Sequence, residues 1–185
     1  MHCFKRMNTR VLSVAGILAL AALLPAPATT LQRLSVDDLV AKSTGVVRAT
    51  ARPQSSFQRN GMIYTSYRLE VREALKGSAV TTLEVIVPGG DYQGLHQTVT
   101  GSPVLRTGVE YVVFYWTGPS GMNHIVGLGQ GLFEVQQNTA GEVVLKRRAM
   151  DSEVFGAPSG NQSDHGLALK WNELRDKLAR QAEQR

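Results

Sequence analysis

Three side chains of the kinds that bind metal ions lie in the middle of the chain: Asp91, His96 and His124. Carboxylate and imidazole groups are zinc ligands, and three of them around an open position can support hydrolysis. However, these three lack a close spacing such as His-x-x-x-His, and glycines lie near all of them. Solvated loop histidines are the simpler interpretation. A metal-assisted hydrolase that uses Asp91, His96 and His124 is kept as an alternative function.

Other catalytic patterns are missing from the sequence. There is no Gly-x-Ser-x-Gly, and Ser102 has no identifiable base near it. Gly127-x-Gly129-x-Gly131 lacks the last spacing and the strand–helix context of a dinucleotide loop, so it predicts a bulge or sharp bend instead. We therefore expect no enzyme activity and no cofactor.

A surface rim is the predicted binding region. It comprises residues 88–104 and 120–131, which are rich in glycine. The candidate contact residues in it are Asp91, Tyr92, Gln93, His96 and His124. Tyr64, Tyr115 and Trp116 are further aromatic candidates, although packing on or inside the domain is the favoured explanation for them.

The first 28 residues have the pattern of a secretory signal peptide. Lys5, Arg6 and Arg10 precede an uncharged run from Val11 to Leu24, and Ala26 and Ala28 provide the small-x-small cleavage pattern. The run is 14 residues long, short of the roughly 20 that a membrane span needs, and no later segment is longer. The sequence therefore predicts an exported protein, periplasmic or extracellular, without a membrane span after cleavage.

Removal of 28 of the 185 residues would leave 157, enough for one domain with a core. The only cysteine, Cys3, would be lost, so no disulfide is expected. The loss of three of the 20 basic residues would leave 17 against 15 acidic ones. Lys146-Arg147-Arg148 is the only basic cluster and is predicted to be a solvated strand end, so we expect no nucleic-acid partner.

The hydrophobic pattern predicts a mainly β fold with a helix at each end. Ser35 is the expected N-cap of the first helix, and Gly45 its terminator. The hydrophobic pattern predicts strands at 46–52, 63–72, 81–87, 109–116, 125–126, 132–137 and 143–147, with a polar excursion at 53–60 and a short strand at 95–99. In the second strand, Tyr67, Leu69 and Val71 are expected to be buried and Arg68 and Glu70 exposed, and Leu75-Lys76-Gly77 marks the end of the strand. Asn60-Gly61 predicts a type I′ hairpin turn.

These elements predict a small antiparallel OB-like barrel of five to seven strands. The expected organisation is a signal peptide at 1–28, the barrel with its N-terminal helix at 29–149, a connector at 150–165 and an amphipathic helix at 166–185. Leu167, Trp171, Leu174 and Leu178 form the apolar stripe of that helix, and packing on its own barrel is favoured over packing on a partner.

Several segments, in order, resemble a family of exported bacterial domains without an assigned activity. They are ATT, LSVDDLV, IYTSYRLEVREALKG, VIVPGG, GSPVLRTGVEYVVF and IVGLGQGLFEV, within residues 28–135. Similar domains precede a matrixin-like zinc protease in longer chains. This chain has no His-Glu-x-x-His, so the resemblance implies no protease activity.

The strand–turn–strand pattern that ends in LKG is similar, more weakly, to netrin-like OB barrels, which include tissue inhibitors of metalloproteases. Those domains depend on disulfides and on an N-terminal cysteine that chelates the target's metal. The single Cys3 implies that this mechanism does not transfer. The expected function is a non-catalytic binding module for an unknown protein or envelope component. A small-ligand carrier with a hollow barrel is a second alternative, beside the hydrolase.

The signal-peptide interpretation predicts that exported protein begins at Thr29 or within two residues of it. Intact-mass measurement of protein recovered from the periplasm or medium tests this. A mass that still includes Met1–Leu24 would contradict it.

Overall fold

A computed structural model describes residues 31–149, 154–155 and 166–183. The predicted signal peptide at 1–28 and most of the predicted connector at 150–165 lie outside the described residues. The helices are α1 (Val36–Lys42) and α2 (Trp171–Glu183). The strands are β1 (Leu31–Gln32), β2 (Gly45–Arg59), β3 (Met62–Lys76), β4 (Thr82–Pro88), β5 (Gly90–Tyr92), β6 (Leu95–Gln97), β7 (Glu110–Thr117), β8 (Asn123–Ile125), β9 (Leu132–Gln137), β10 (Val143–Arg147), β11 (Val154–Phe155) and β12 (Leu167–Lys170).

Five strands form a partly closed ring in the order β7-β2-β3-β4-β8, in which β8 pairs back onto β7. The predicted mainly β fold with an OB-like barrel is confirmed. The expectation of a purely antiparallel sheet is wrong at one place, because β4 and β8 meet in parallel through the single pair Ile86↔His124. Beyond β7 the sheet continues through β9, β10 and β12.

The longest hairpin joins β2 and β3. Asn60 and Gly61 both have positive φ, 51° and 77°, as a type I′ turn requires. The polar excursion predicted at 53–60 is wrong, because β2 stays paired with β3 up to Arg59↔Met62. Backbone pairing holds this polar segment extended, and a register shift between Ala51 and Gln54 absorbs Arg52 and Pro53 as a bulge.

Two hydrophobic cores lie on opposite faces of the sheet. The first fills the ring and contains Tyr67, Leu69, Val85 and Tyr111 among its buried residues. The predicted alternation in β3 is confirmed from Tyr67 to Glu70, since Arg68 and Glu70 are exposed, whereas Val71 is only half-buried. The second core lies outside the ring; its buried residues are Leu39, Val40, Val46, Val112, Phe114, Val126, Phe133, Leu145, Leu169, Leu174 and Leu178.

Both helices cover the second core. Helix α1 begins with the predicted cap, where Ser35 and Asp38 form a reciprocal capping box, but it ends at Lys42, before Gly45. Helix α2 begins at Trp171 and not at 166, because Leu167–Lys170 pair with β10 as a strand. Lys177 of α2 contacts Asp37 of α1 at 2.7 Å, so α2 packs on its own domain as expected.

The glycines at 127, 129 and 131 form a tighter feature than the predicted bulge. Gly127 is left-handed, with φ 62°, and precedes a single 3-10 turn at Leu128–Gly131. A Cβ at Gly131 would lie 2.6 Å from the carbonyl oxygen of Val126. The turn therefore needs glycine for close backbone approach, and it carries the chain from β8 to β9.

Leu69 is fully buried in the ring core, so Leu69→Ala should lower the free energy of unfolding by about 2–5 kcal/mol. Urea denaturation of both proteins measures this. The matched control is Arg68→Ala, which alters the neighbouring exposed residue and should change stability by less than about 0.5 kcal/mol. Equal effects of the two substitutions would contradict the assigned faces of β3.

Candidate functional site

The hairpin β5–β6 carries four of the five predicted rim residues. Its turn is Gln93-Gly94, with φ values of 49° and 80°. Asp91 lies opposite His96 in register, and the His96 Nδ1 atom is 2.7 Å from Asp91 Oδ1. The other ring nitrogen of His96 is 3.1 Å from the Thr98 hydroxyl. Both imidazole nitrogens thus have protein partners on an exposed hairpin.

Tyr92 and Gln93 add little to a catalytic arrangement. Tyr92 is half-buried and Gln93 is exposed at the turn. The Gln93 Nε2 atom lies 3.4 Å from the Tyr92 hydroxyl. These two side chains contact each other and lie on the rim, where the sequence placed them.

His124 lies in a different setting, on β8, where it pairs with Ile86 of β4 and closes the ring. Its ring is stacked on the indole of Trp116, with centroids 4.8 Å apart and planes at 20°. A Cβ at Gly118 would come within 3.5 Å of both rings, so glycine allows the chain to pass beside them. Burial lowers the pKa of His124 below its usual value.

The three candidate metal ligands are therefore divided between two places. The structure brings Asp91 and His96 together, and His124 stacks on Trp116 instead. Within residues 31–149, 154–155 and 166–183, no three His, Cys, Asp or Glu side chains are grouped so that they could hold a metal ion.

A groove of about 430 Å³ lies at another part of the rim, within the size range of ligand sites. One wall is the segment 98–104, which follows β6, and the opposite wall is the β9–β10 hairpin. The lining residues are Thr98, Val99, Thr100, Gly101, Ser102, Pro103, Val104, Tyr111, Gly129, Leu132, Glu134, Lys146, Arg148 and Ala149. Both predicted rim segments contribute to this lining, but none of the five predicted contact residues does.

The 98–104 wall is anchored to the barrel. The Ser102 hydroxyl donates to the Pro88 carbonyl at 2.6 Å. The Gly129 amide donates to the Gly101 carbonyl at 2.9 Å, which ties this wall to the 3-10 turn. Val104 projects from the wall with 73% of its surface exposed. The groove therefore has a fixed shape and an apolar edge.

The charge in the groove is unbalanced. Among the described residues that line it, Glu134 is the only acidic one. Partial burial raises the pKa of that carboxyl, but hydrogen bonds from Gln136 and Arg106 and the nearby positive charges outweigh burial and lower it. Glu134 is thus ionised and accepts from Arg106 at 2.7 Å. Lys146 and Arg148 form no ion pair with the residues that the structure describes.

The basic cluster at 146–148 is divided by strand alternation, which corrects its interpretation as a solvated end. Arg147 is buried, with 4% exposure, on the face opposite to the groove. Lys146 and Arg148 are exposed and line the groove. The alternation of side chains along a strand indicates that Arg147 lies on the face opposite to Lys146 and Arg148. The sequence does not reveal which face of β10 forms a site.

Comparison with known proteins adds no relative: no family model matches the chain, and neither curated proteins nor solved structures give a significant match. In the described part of the chain, neither helix has the length and apolar character needed to cross a membrane.

The lowered pKa of His124 predicts a pH-dependent stability. The unfolded chain takes up the proton near pH 6.5, whereas the folded chain does so only at lower pH. Stability should therefore be full above about pH 6.5 and fall as the pH drops from there through the folded pKa. His124→Phe keeps an aromatic ring against Trp116 and should lose this part of the pH dependence. Urea denaturation between pH 7.5 and 5 measures it; equal slopes for both proteins would contradict the assignment.

Proposed function

We propose that this protein is an exported, non-catalytic binding module and that the groove between the 98–104 wall and the β9–β10 hairpin is its binding site. The groove carries the proposal because it joins a fixed concave shape, an exposed apolar edge and two cations that form no ion pair with the described residues. A bound ligand or partner would cover the apolar edge and contact the two cations. Export rests on the signal pattern in residues 1–28, and the resemblance to exported bacterial domains supports it.

The two alternatives have less support. A metal-assisted hydrolase needs a third ligand beside Asp91 and His96, whereas His124 stacks on Trp116. A small-ligand carrier needs a hollow ring, whereas the ring interior is occupied by buried side chains that include Tyr67, Leu69 and Tyr111.

Substitution of Val104 tests the proposed site. Its side chain is mostly exposed, so Val104→Asp should leave the fold intact while it removes the apolar edge. Tagged wild-type protein and the variant are each incubated with an envelope extract from the native source, and captured components are quantified. We expect the variant to lose at least about fivefold of a captured component, the effect of a contact worth about 1 kcal/mol.

Val80→Asp is the matched control, because Val80 is also an exposed valine, in the turn between β3 and β4 and outside the groove lining. It should capture the same component as the wild type. Capture that is equal in all three proteins would overturn the groove as the binding site.

A further inference from the structure

The cations in the groove indicate the charge of its ligand. Lys146 and Arg148 line the groove, and Arg106 beside it is already used by Glu134. One carboxylate therefore faces three cations, and its oxygens are taken by Arg106 and Gln136. Among the described lining residues the two cations outnumber the single carboxylate, which Arg106 and Gln136 already engage, so a ligand that brings negative charge to Lys146 and Arg148 is favoured.

The spacing of the two cations indicates the shape of the ligand. Lys146 is the penultimate residue of β10 and Arg148 directly follows the strand; both line the groove, while Arg147 between them is buried, as in the alternation of an extended strand. Side chains at such positions are on one face and about 6.6 Å apart. Carboxylates at positions i and i+2 of an extended peptide have the same backbone spacing, so each of the two cations can contact its own carboxylate.

The opposite wall indicates that the ligand also carries an apolar group. Val99, Pro103 and Val104 give that wall an apolar surface, with Val104 largely exposed. A small inorganic anion would contact the cations and leave this surface in water. A peptide that carries an apolar side chain beside its carboxylates would cover it.

We propose that the groove binds an extended acidic peptide segment with the pattern Asp/Glu-x-Asp/Glu and an apolar neighbour. This rests on the proposed binding function and adds the chemical class of the ligand. Lys146 and Arg148 contact the two carboxylates, and the wall around Val104 contacts the apolar side chain. The partner is thus a protein with such a segment exposed.

A displayed library of random seven-residue peptides tests this proposal with the folded domain as it stands. Wild-type protein should enrich peptides that carry two acidic residues at positions i and i+2 with an apolar residue beside them. The affinity of these peptides should fall about tenfold or more in Lys146→Gln/Arg148→Gln. It should also weaken as NaCl is raised, since the charges are near the surface.

Lys42→Gln/Arg180→Gln is the matched control. It removes the same number of charges from exposed positions on α1 and α2, and it should bind the enriched peptides as the wild type does. Inorganic phosphate at 10 mM is the competing probe. If phosphate displaces the peptides no more than NaCl of equal ionic strength does, the proposal is supported. If phosphate displaces them more than that NaCl does, the groove is a simple anion site and the proposal is overturned.

The outcomes separate this proposal from the function on which it rests. Enriched peptides without acidic residues, whose binding depends on Val104 but not on Lys146 and Arg148, overturn the ligand class and keep the binding site. Failure to enrich any peptide overturns the peptide ligand, while the envelope capture with Val104→Asp still decides the binding function.

Discussion

Strand β7 has no polar face, and the architecture around it follows from that. Tyr111, Val113 and Tyr115 point into the ring core, whereas Val112 and Phe114 belong to the outer core. A strand that is apolar on both sides must be covered on both sides. Closure of the ring covers one face, and the two helices with the outer core cover the other. Since β7 also pairs with β9 outside the ring, it positions the β9–β10 wall of the groove as well.

Polar contacts hold the N-terminal helix on the outer core. The Lys76 ammonium donates to the carbonyl oxygens of Val40 and Ser43 at 2.5 and 2.6 Å. These carbonyls lie at the end of α1, where intrahelical partners run out and positive charge is favourable. At the other end, the fully buried Gln130 side chain accepts from the Leu34 amide at 2.7 Å. Helix α1 is thereby fixed at both ends, and one of its anchors is in the same 3-10 turn that contacts the groove wall.

Local signals could be predicted from the sequence, and pairings between distant segments could not. The Ser35 cap, the Asn60-Gly61 turn and the bounds of β9 and β10 depend on neighbouring residues, so their patterns were sufficient. The extended segment after Ala51 and the strand Leu167–Lys170 depend on partners elsewhere in the chain. Pairing with β3 and β10 overrides the polar composition in the first case and the helical spacing in the second.

The groove could not be predicted from the sequence for the same reason, since its walls are separated by about 30 residues. The rim at 88–104 was predicted from glycine and proline content, which identifies exposed loops. The lining residues of the opposite wall lie in strands β9 and β10 and directly after β10, where the sequence has no such signal. Only the pairing of β9 with β7 brings Lys146 and Arg148 opposite Val104. The predicted contact residues were identified by their chemical type alone. The groove instead lies between two segments whose sequences carry no binding motif.

Charge that already has a partner contributes little to recognition, and this decides between the two polar regions of the rim. Asp91 and His96 hydrogen-bond to each other on an exposed hairpin, where even an ion pair is worth only about 0–1 kcal/mol. A ligand would have to break that pair and would gain little. Lys146 and Arg148 lie beside apolar side chains in a concave site, where a lower effective dielectric strengthens attraction to a bound charge. Because Ser102 and Gly101 already fix the opposite wall, binding there avoids the entropic cost of ordering a loop.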